Sequence, residues 1–318
     1  MSTPASTPES APEKLTYVVS ADVAGLMGRW AAQNGLVVPD DAYFANMTHD
    51  LAVKLAEVTE GPVQIITQKE MFDGMDKLVS ESPYPVVSLD RAYFDADHPT
   101  IAGFVDVTRA VQETTDENGV KSFESIEGLT PRPGAPSVEE QVARLKETLG
   151  STPVTLVDDV VFSGETPAMV VEALEAAGIP VARFITGIGI KEGVERLTAL
   201  GVEVVCVKAY DDVADEVCER DFLAGVPMSG RTVVGEDGTH WSAPYVEPYG
   251  NTKKWASIPD AGARALSQFC LGQSFDLWRK VEELNGQLIP SHMVPRPLKD
   301  ARSDQSIVDR IWHDYFNY

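Results

Sequence analysis

The segment Thr155–Leu174 reads TLVDDVVFSGETPAMVVEAL. An apolar run enters two adjacent aspartates, Asp158 and Asp159, and a short Ser-Gly-Glu-Thr loop follows. Such a run reads as a buried strand, Val154 to Val157, with the acids at its carboxyl end, where a ligand reaches them in an open α/β sheet. Beyond the loop, Val170, Ala173, Leu174 and Ala177 fall at i, i+3, i+4 and i+7, and Pro167 stands where a first-turn proline is tolerated. The order is therefore strand, loop, helix. A glycine-containing loop at a helix amino terminus offers N–H groups and the positive end of the helix dipole to an anion, and Ser163 and Thr166 add hydroxyls. The carboxylates suit the vicinal hydroxyls of a sugar, or a divalent metal held with them. The same residues would also serve as a solvated strand end followed by an ordinary turn and cap.

The flanks repeat the alternation. SVEEQVARLKETLG opens with Ser137 and Glu140 at capping-box spacing, carries Val142, Leu145 and Leu149 on one face, and stops at Gly150. After the helix closed by Gly178 come a strand VARFITGIGI, a helix KEGVERLTALG closed by Gly201 and a strand VEVVCVKAY. Strands alternating with helices over residues 137–210 specify a Rossmann-like, mostly parallel sheet covered by helices on both faces. Right-handed crossovers are expected.

Upstream, LTYVVS reads as a strand and ADVAGLMGRWAAQNG as a helix ending at Gly35. In the next helix Phe44, Met47, Leu51, Val53 and Leu55 are expected to face the core. GPVQIITQKEMFDGMDKLVS reads as strand, loop and helix, and PVVSLDRAYF and IAGFVDVTRA as two further strands. The polar stretch from Val111 to Ser137, with Asn118-Gly119 and Pro131-Arg132-Pro133-Gly134, reads as a hairpin plus a mobile loop. Past Tyr210 the periodicity weakens, and Trp241, Trp255, Trp278 and Trp312 are spread through a helical or irregular hood. The expected division is a disordered leader over residues 1–14, an α/β core over 15–210 and a C-terminal hood or lid over 211–318.

With 318 residues, 43% hydrophobic, the chain can build a large core. Its 49 Asp+Glu against 26 Lys+Arg give a formal net charge of -23, which repels nucleic-acid backbones and anionic lipid surfaces. Cys206, Cys218 and Cys270 form no CxxC pair, and the five histidines no HExxH, so a disulfide framework and a zinc site are not expected. A reducing cytoplasm fits this pattern. No apolar stretch nears the roughly 20 residues that span a bilayer, and the Ser/Thr/Pro/Ala-rich start lacks the apolar centre of a signal peptide. There is no P-loop, and TGIGIKEG has the wrong glycine spacing for a dinucleotide fingerprint.

VDDVVFSGET resembles the phosphoribosyl pyrophosphate (PRPP) binding motif of type I phosphoribosyltransferases. The form is close to that of the pyrimidine-operon regulator and hypoxanthine-guanine branches. The resemblance is specific over residues 137–210 and looser over 61–210. It implies that Asp158 and Asp159 bind the ribose 2- and 3-hydroxyls and, with them, Mg²⁺. It also implies that Val160 and Val161 lead into a 5-phosphate loop of Phe162, Ser163, Gly164, Glu165 and Thr166. Lys69, in IITQKEMFDG, stands where the family has its pyrophosphate loop, and Arg91 is a further candidate for the diphosphate. A closing loop is expected over Thr108–Ser137, with Lys121 and Arg132. CERDFLAGVPMSGRTV offers Arg220, Asp221 and Arg231 as acceptor contacts. Hypoxanthine-guanine enzymes carry a proton-exchanging aspartate where this chain has Phe162, which disfavours a 6-oxopurine acceptor. The implied function is Mg-dependent transfer of ribose 5-phosphate from PRPP to a nucleobase or related nitrogen nucleophile, with release of pyrophosphate, by a protein expected to dimerise. The alternatives are a PRPP- or nucleotide-sensing regulator of the same fold and another metal-dependent phosphosugar enzyme.

Overall fold

In the computed structural model, residues 14–115, 117, 121–235, 238–300, 302 and 304–317 are described. The expected leader therefore lies, Lys14 apart, outside the described residues, as does the Asn118-Gly119 turn. The chain starts with β1 (Tyr17–Ser20), α1 (Val23–Asn34), α2 (Asp41–Thr59), β2 (Val63–Ile66) and α3 (Gln68–Ser80). Gly35 ends α1 with φ of 65°, where a side chain would be strained. On α2, Phe44, Met47, Leu51 and Leu55 are buried, but Val53 is 55% exposed, since it falls off the face that the other four share. The loop expected in IITQKEMFDG does not exist. Ile65 and Ile66 are strand, Thr67 caps α3 in a capping box with Glu70, and Lys69 is already helical.

Next come β3 (Val86–Ser88), β4 (Ile101–Phe104), β5 (Val107–Thr108), β6 (Ala110–Thr115), β7 (Lys121–Ser125), β8 (Thr130–Pro131) and α4 (Val138–Leu149). IAGFVDVTRA is thus divided among three strands. The central run follows: β9 (Val154–Val161), α5 (Glu165–Ala176), β10 (Val181–Ile190), α6 (Lys191–Ala199) and β11 (Glu203–Tyr210). Last are β12 (Asp215–Cys218), β13 (Arg231–Val234), β14 (His240–Ala243), α7 (Thr252–Trp255), α8 (Asp260–Asn285) and α9 (Ile307–Asn317).

A five-stranded sheet in the order β11-β10-β9-β3-β4 is parallel throughout. Val142, Leu145, Val170, Leu174 and Leu197, from α4, α5 and α6, cover one face, while Met71, Met75 and Val79 of α3 cover the other. The expected Rossmann-like parallel sheet, with helices on both faces and a C-terminal helical region, is what forms. Strand order reverses between β3 and β9: the chain steps outward from β3 to β4, then returns to β9 and builds the opposite way. At such a reversal the connections leave in opposite directions and open a crevice at the strands' carboxyl ends.

The expected division after Tyr210 is crossed by packing from both sides. Strand β12 pairs in parallel with β1, whose other edge carries β2. Helix α8 lies on α2, and Trp278 meets Trp30 of α1 edge to face at 5.2 Å. One core holds Val19, Met27, Leu51, Phe222, Leu271 and Ile311. Of the hairpin and loop expected from Val111 to Ser137, the hairpin forms, and it is anchored from outside the segment. Hairpin β6–β7 continues into β13, parallel to β6, and β14, giving a four-stranded sheet in the order β14-β13-β6-β7. These partners lie over 100 residues downstream, so local sequence carried no sign of them.

Candidate active site

Strand β9 does not stop before the acid pair; it runs through both aspartates to Val161. Side chains on a strand alternate between faces, and Leu156 enters one core while Val157 enters the other. Past the acids the parity is reversed, with Val160 on the side of Val157 and Val161 on the side of Leu156. Strand β10 slips in step, so Asp158 still faces Thr186 and Val160 still faces Ile188. Gly187 makes room for this: a Cβ there would lie 2.8 Å from the Asp159 carbonyl oxygen.

The loop after β9 is set by two glycines. Gly164 caps α5 with φ of 73° and no side-chain cap, which leaves the first N–H groups of α5 facing outward. A Cβ on Gly193, in the first turn of α6, would stand 2.4 Å from the Phe162 carbonyl oxygen. That contact presses the loop against α6. Ser163 Oγ meets the Glu165 N–H at 3.4 Å, and Phe162, 37% exposed, turns outward.

A cleft of about 400 Å³ opens above these residues, at the reversal of strand order. Asp158, Asp159, Val160 and Phe162 to Thr166 line one end of it, while Val161 is buried beneath. Arg109 and Arg132 enter from the β6–β7 side, and Asp215, Glu216 and Arg220 from β12 and the turn after it. Arg231, Tyr245 and Trp255 close the far end, with the Arg231 guanidinium 4.9 Å from the Trp255 ring centre.

The charges are sharply divided. Arg220, 8% exposed, donates from Nη2 to Asp159 Oδ2 at 2.8 Å and from Nη1 to Asp22. Burial works to raise Asp159, but this guanidinium overrides it and holds the carboxyl below its ordinary value. Asp158 has no such partner. Burial, then the charges of Asp159 and Asp90, push it well above the carboxylate range. Asp90, just after β3, accepts the backbone N–H groups of Ala92 at 2.6 Å and Tyr93 at 2.7 Å, and burial together with Asp159 raises it to about 6. Glu216 takes the Ser20 hydroxyl at 3.0 Å, and burial lifts its carboxyl to about 8. Within this one cleft the Nε atoms of Arg132, Arg220 and Arg231 are buried without a hydrogen-bond partner among the described residues.

Lys69 and Arg91 lie elsewhere. Lys69 is 82% exposed, pairs with Asp73 one turn along α3 and does not line the cleft. Arg91 grips Asp106 with two hydrogen bonds of 2.7 Å and stacks 3.4 Å from the centre of the Phe104 ring, also outside the lining. Arg132, Arg220, Asp221 and Arg231, singled out in the sequence, do line it. Arg109, Asp215, Glu216, Tyr245 and Trp255, which also line it, were not legible as site residues. Their only signal is the acid, arginine or aromatic itself, and the pairing of β12 with β1 is what brings Glu216 and Arg220 to Asp159.

Among the described residues no group of three or more His, Cys, Asp and Glu is arranged to hold a metal ion alone. Mg²⁺ is commonly held by one or two carboxylates together with phosphate oxygens of a substrate. Asp158 and Asp159, both on the cleft wall, fit that partial role.

No protein-family model matches the chain, and no curated protein matches it. Among solved structures it is similar to the orotate phosphoribosyltransferase of Mycobacterium tuberculosis H37Rv in complex with PRPP, at 16% identity over 44% of this chain and 70% of that one, with a TM-score of 0.26. It is also similar to the adenine phosphoribosyltransferase of Thermoanaerobacter pseudethanolicus, at 17% identity over 45% of this chain and 79% of that one, with a TM-score of 0.29. A phosphoribosyltransferase from Corynebacterium diphtheriae is 16% identical over 52% of this chain and 97% of that one, with a TM-score of 0.27. Likeness of this extent assigns no chemistry by itself.

Proposed function

We propose that the cleft binds PRPP and that the protein transfers its ribose 5-phosphate to a nitrogen nucleophile, releasing pyrophosphate. One observation carries this reading: an acid pair, a helix amino terminus and three arginines with unpaired, buried Nε donors meet in a single cleft. Unpaired guanidinium donors call for an anion with several oxygens. The open N–H groups of α5 suit a monoester phosphate, and the carboxyls of Asp158 and Asp159 suit two adjacent hydroxyls.

In the reaction, the bond from ribose C1 to the diphosphate oxygen breaks as the acceptor nitrogen closes on C1, and positive charge develops on the ring. Arg132 and Arg220 are placed to take the negative charge gathering on the departing diphosphate, a stabilisation that grows toward the transition state. Asp158, pushed toward its neutral form, donates a hydrogen bond to one hydroxyl, while Asp159, held toward its ionised form, accepts from the other. Glu216, in its ionised form, is a candidate to receive the acceptor's proton, a role that Phe162 cannot fill, and the burial that raises its carboxyl to about 8 makes that form a stronger base while lowering its population at neutral pH. Mg²⁺, when bound with the substrate, supplies further neutralisation of the diphosphate and admits a polyanion to a protein of net charge -23.

A PRPP-sensing regulator is the second reading, favoured by the commitment of Arg91 to Asp106 and of Arg220 to Asp22, which leaves fewer cations to drive a leaving group. Calorimetric titration of PRPP with and without Mg²⁺, repeated on the double variant Asp158→Asn/Asp159→Asn, tests the site. Mg-dependent binding lost in the double variant supports it, and absence of binding to the wild type overturns both readings. Pyrophosphate release in a screen of nucleobases then separates enzyme from sensor.

A further inference from the structure

A second cavity, of about 530 Å³, shares no lining residue with the cleft and is lined in part by Asp22, the partner of Arg220. That volume is in the range of small-molecule sites. Phe44 of α2, Ile65 of β2 and Phe72 of α3 form its apolar walls, and Asp22 and Glu219 form its floor. Both floor residues are 2% exposed. Asp22 is paired with Arg220, whereas the Glu219 side chain takes the Thr48 hydroxyl, at 2.6 Å, and the backbone N–H groups of Val23 and Asp22, with no cation on it among the described residues. Burial therefore drives the Glu219 carboxyl up to about 8. At the rim, the Lys69 ammonium is turned to Asp73, and Asp41 adds another negative charge.

An anion is repelled by this arrangement, and a purely apolar molecule brings no positive charge to the buried Glu219 carboxyl, whose partners are a hydroxyl and backbone N–H groups. A cation with a flat apolar body satisfies both parts: its ring lies between Phe44 and Phe72, and its charge meets the carboxyls where low dielectric strengthens the attraction. We propose that this cavity is a binding site for a small aromatic or aliphatic molecule carrying one protonated amine or amidine nitrogen, seated against Glu219 and Asp22. The site is distinct from the cleft, and the two share one guanidinium: Arg220 holds Asp22 of the cavity with one arm and Asp159 of the cleft with the other.

Calorimetric titration of the full chain with benzamidine, and with neutral benzamide as its near-isostere, tests the assignment. Benzamidine is expected to bind at least tenfold more tightly than benzamide. Its affinity is expected to fall at least tenfold in Glu219→Gln and in Ala45→Phe, which narrows the cavity from an exposed position on α2, and to persist in Asp158→Asn. Should Glu219→Gln fail to fold by circular dichroism, Ala45→Phe decides alone. Equal binding of benzamide, unchanged benzamidine affinity in the folded cavity variants, or loss in Asp158→Asn instead would overturn the proposal.

Discussion

Asp158 and Asp159 are adjacent and chemically alike, yet one is pushed toward its neutral form and the other held ionised. The difference is Arg220, which reaches Asp159 and not Asp158. Asn copies a neutral carboxyl closely, so Asp158→Asn should leave stability at neutral pH nearly unchanged. Asp159→Asn should cost about 1.5–3 kcal/mol, the range for a hydrogen bond to a charged group, since it leaves a buried arginine arm without its anion. Urea unfolding of the two single variants measures the asymmetry. Equal losses would mean that the charges are not divided as described.

At the scale of elements, the loop from Phe162 to Gly164 owes its shape to the neighbouring helix as much as to its own residues. Gly193 belongs to α6, 29 positions beyond Gly164, yet the two backbones are in contact. Gly193→Ala would drive its Cβ into the Phe162 carbonyl, so either the loop or the start of α6 must move. We expect a loss of about 1–3 kcal/mol in thermal stability, and at least a tenfold weaker affinity for PRPP because the N–H groups of α5 lose their aim. Gly201→Ala is the control for backbone freedom alone: Gly201 has φ of 84° but open space around it. Comparable weakening of PRPP binding in both variants would remove the argument for Gly193.

For the molecule as a whole, the distribution of acid groups sets the response to pH. Asp22 and Asp90 are raised to about 6, and Glu216 and Glu219 to about 8, chiefly by burial, whereas the same groups in an unfolded chain titrate near 4. Between those values the folded state holds more protons at these groups than the unfolded one, so the stability that these four carboxyls contribute is fully present below about pH 4 and is lost as pH rises through 6 and 8. The net charge of -23 acts in the same direction, because self-repulsion grows as carboxyls ionise. Melting temperature should therefore fall from pH 5.5 to pH 8.5, and added sodium chloride should recover part of the loss at the upper end by screening. A scan showing higher stability at pH 8.5 would contradict the burial of these four carboxyls.

Sequence alone determined the elements whose signals are local. The capping box at Ser137 and Glu140, the glycine at the start of α5 and the apolar periods of α4, α5 and the strands between them fixed the parallel sheet and put Asp158 to Thr166 at its carboxyl edge. These features follow from backbone propensity and from faces that must be buried, and both are written within a few residues of where they act. Only the tertiary structure decided what stands opposite that edge. The strand Asp215–Cys218 pairs with Tyr17–Ser20 and carries Glu216 and Arg220 to the acid pair, while Thr232 to Val234 pair with Ala110 to Gln112 and fix the segment that holds Arg109. Partners separated by more than 100 residues are selected by complementary packing of the whole chain, a choice that no local pattern encodes.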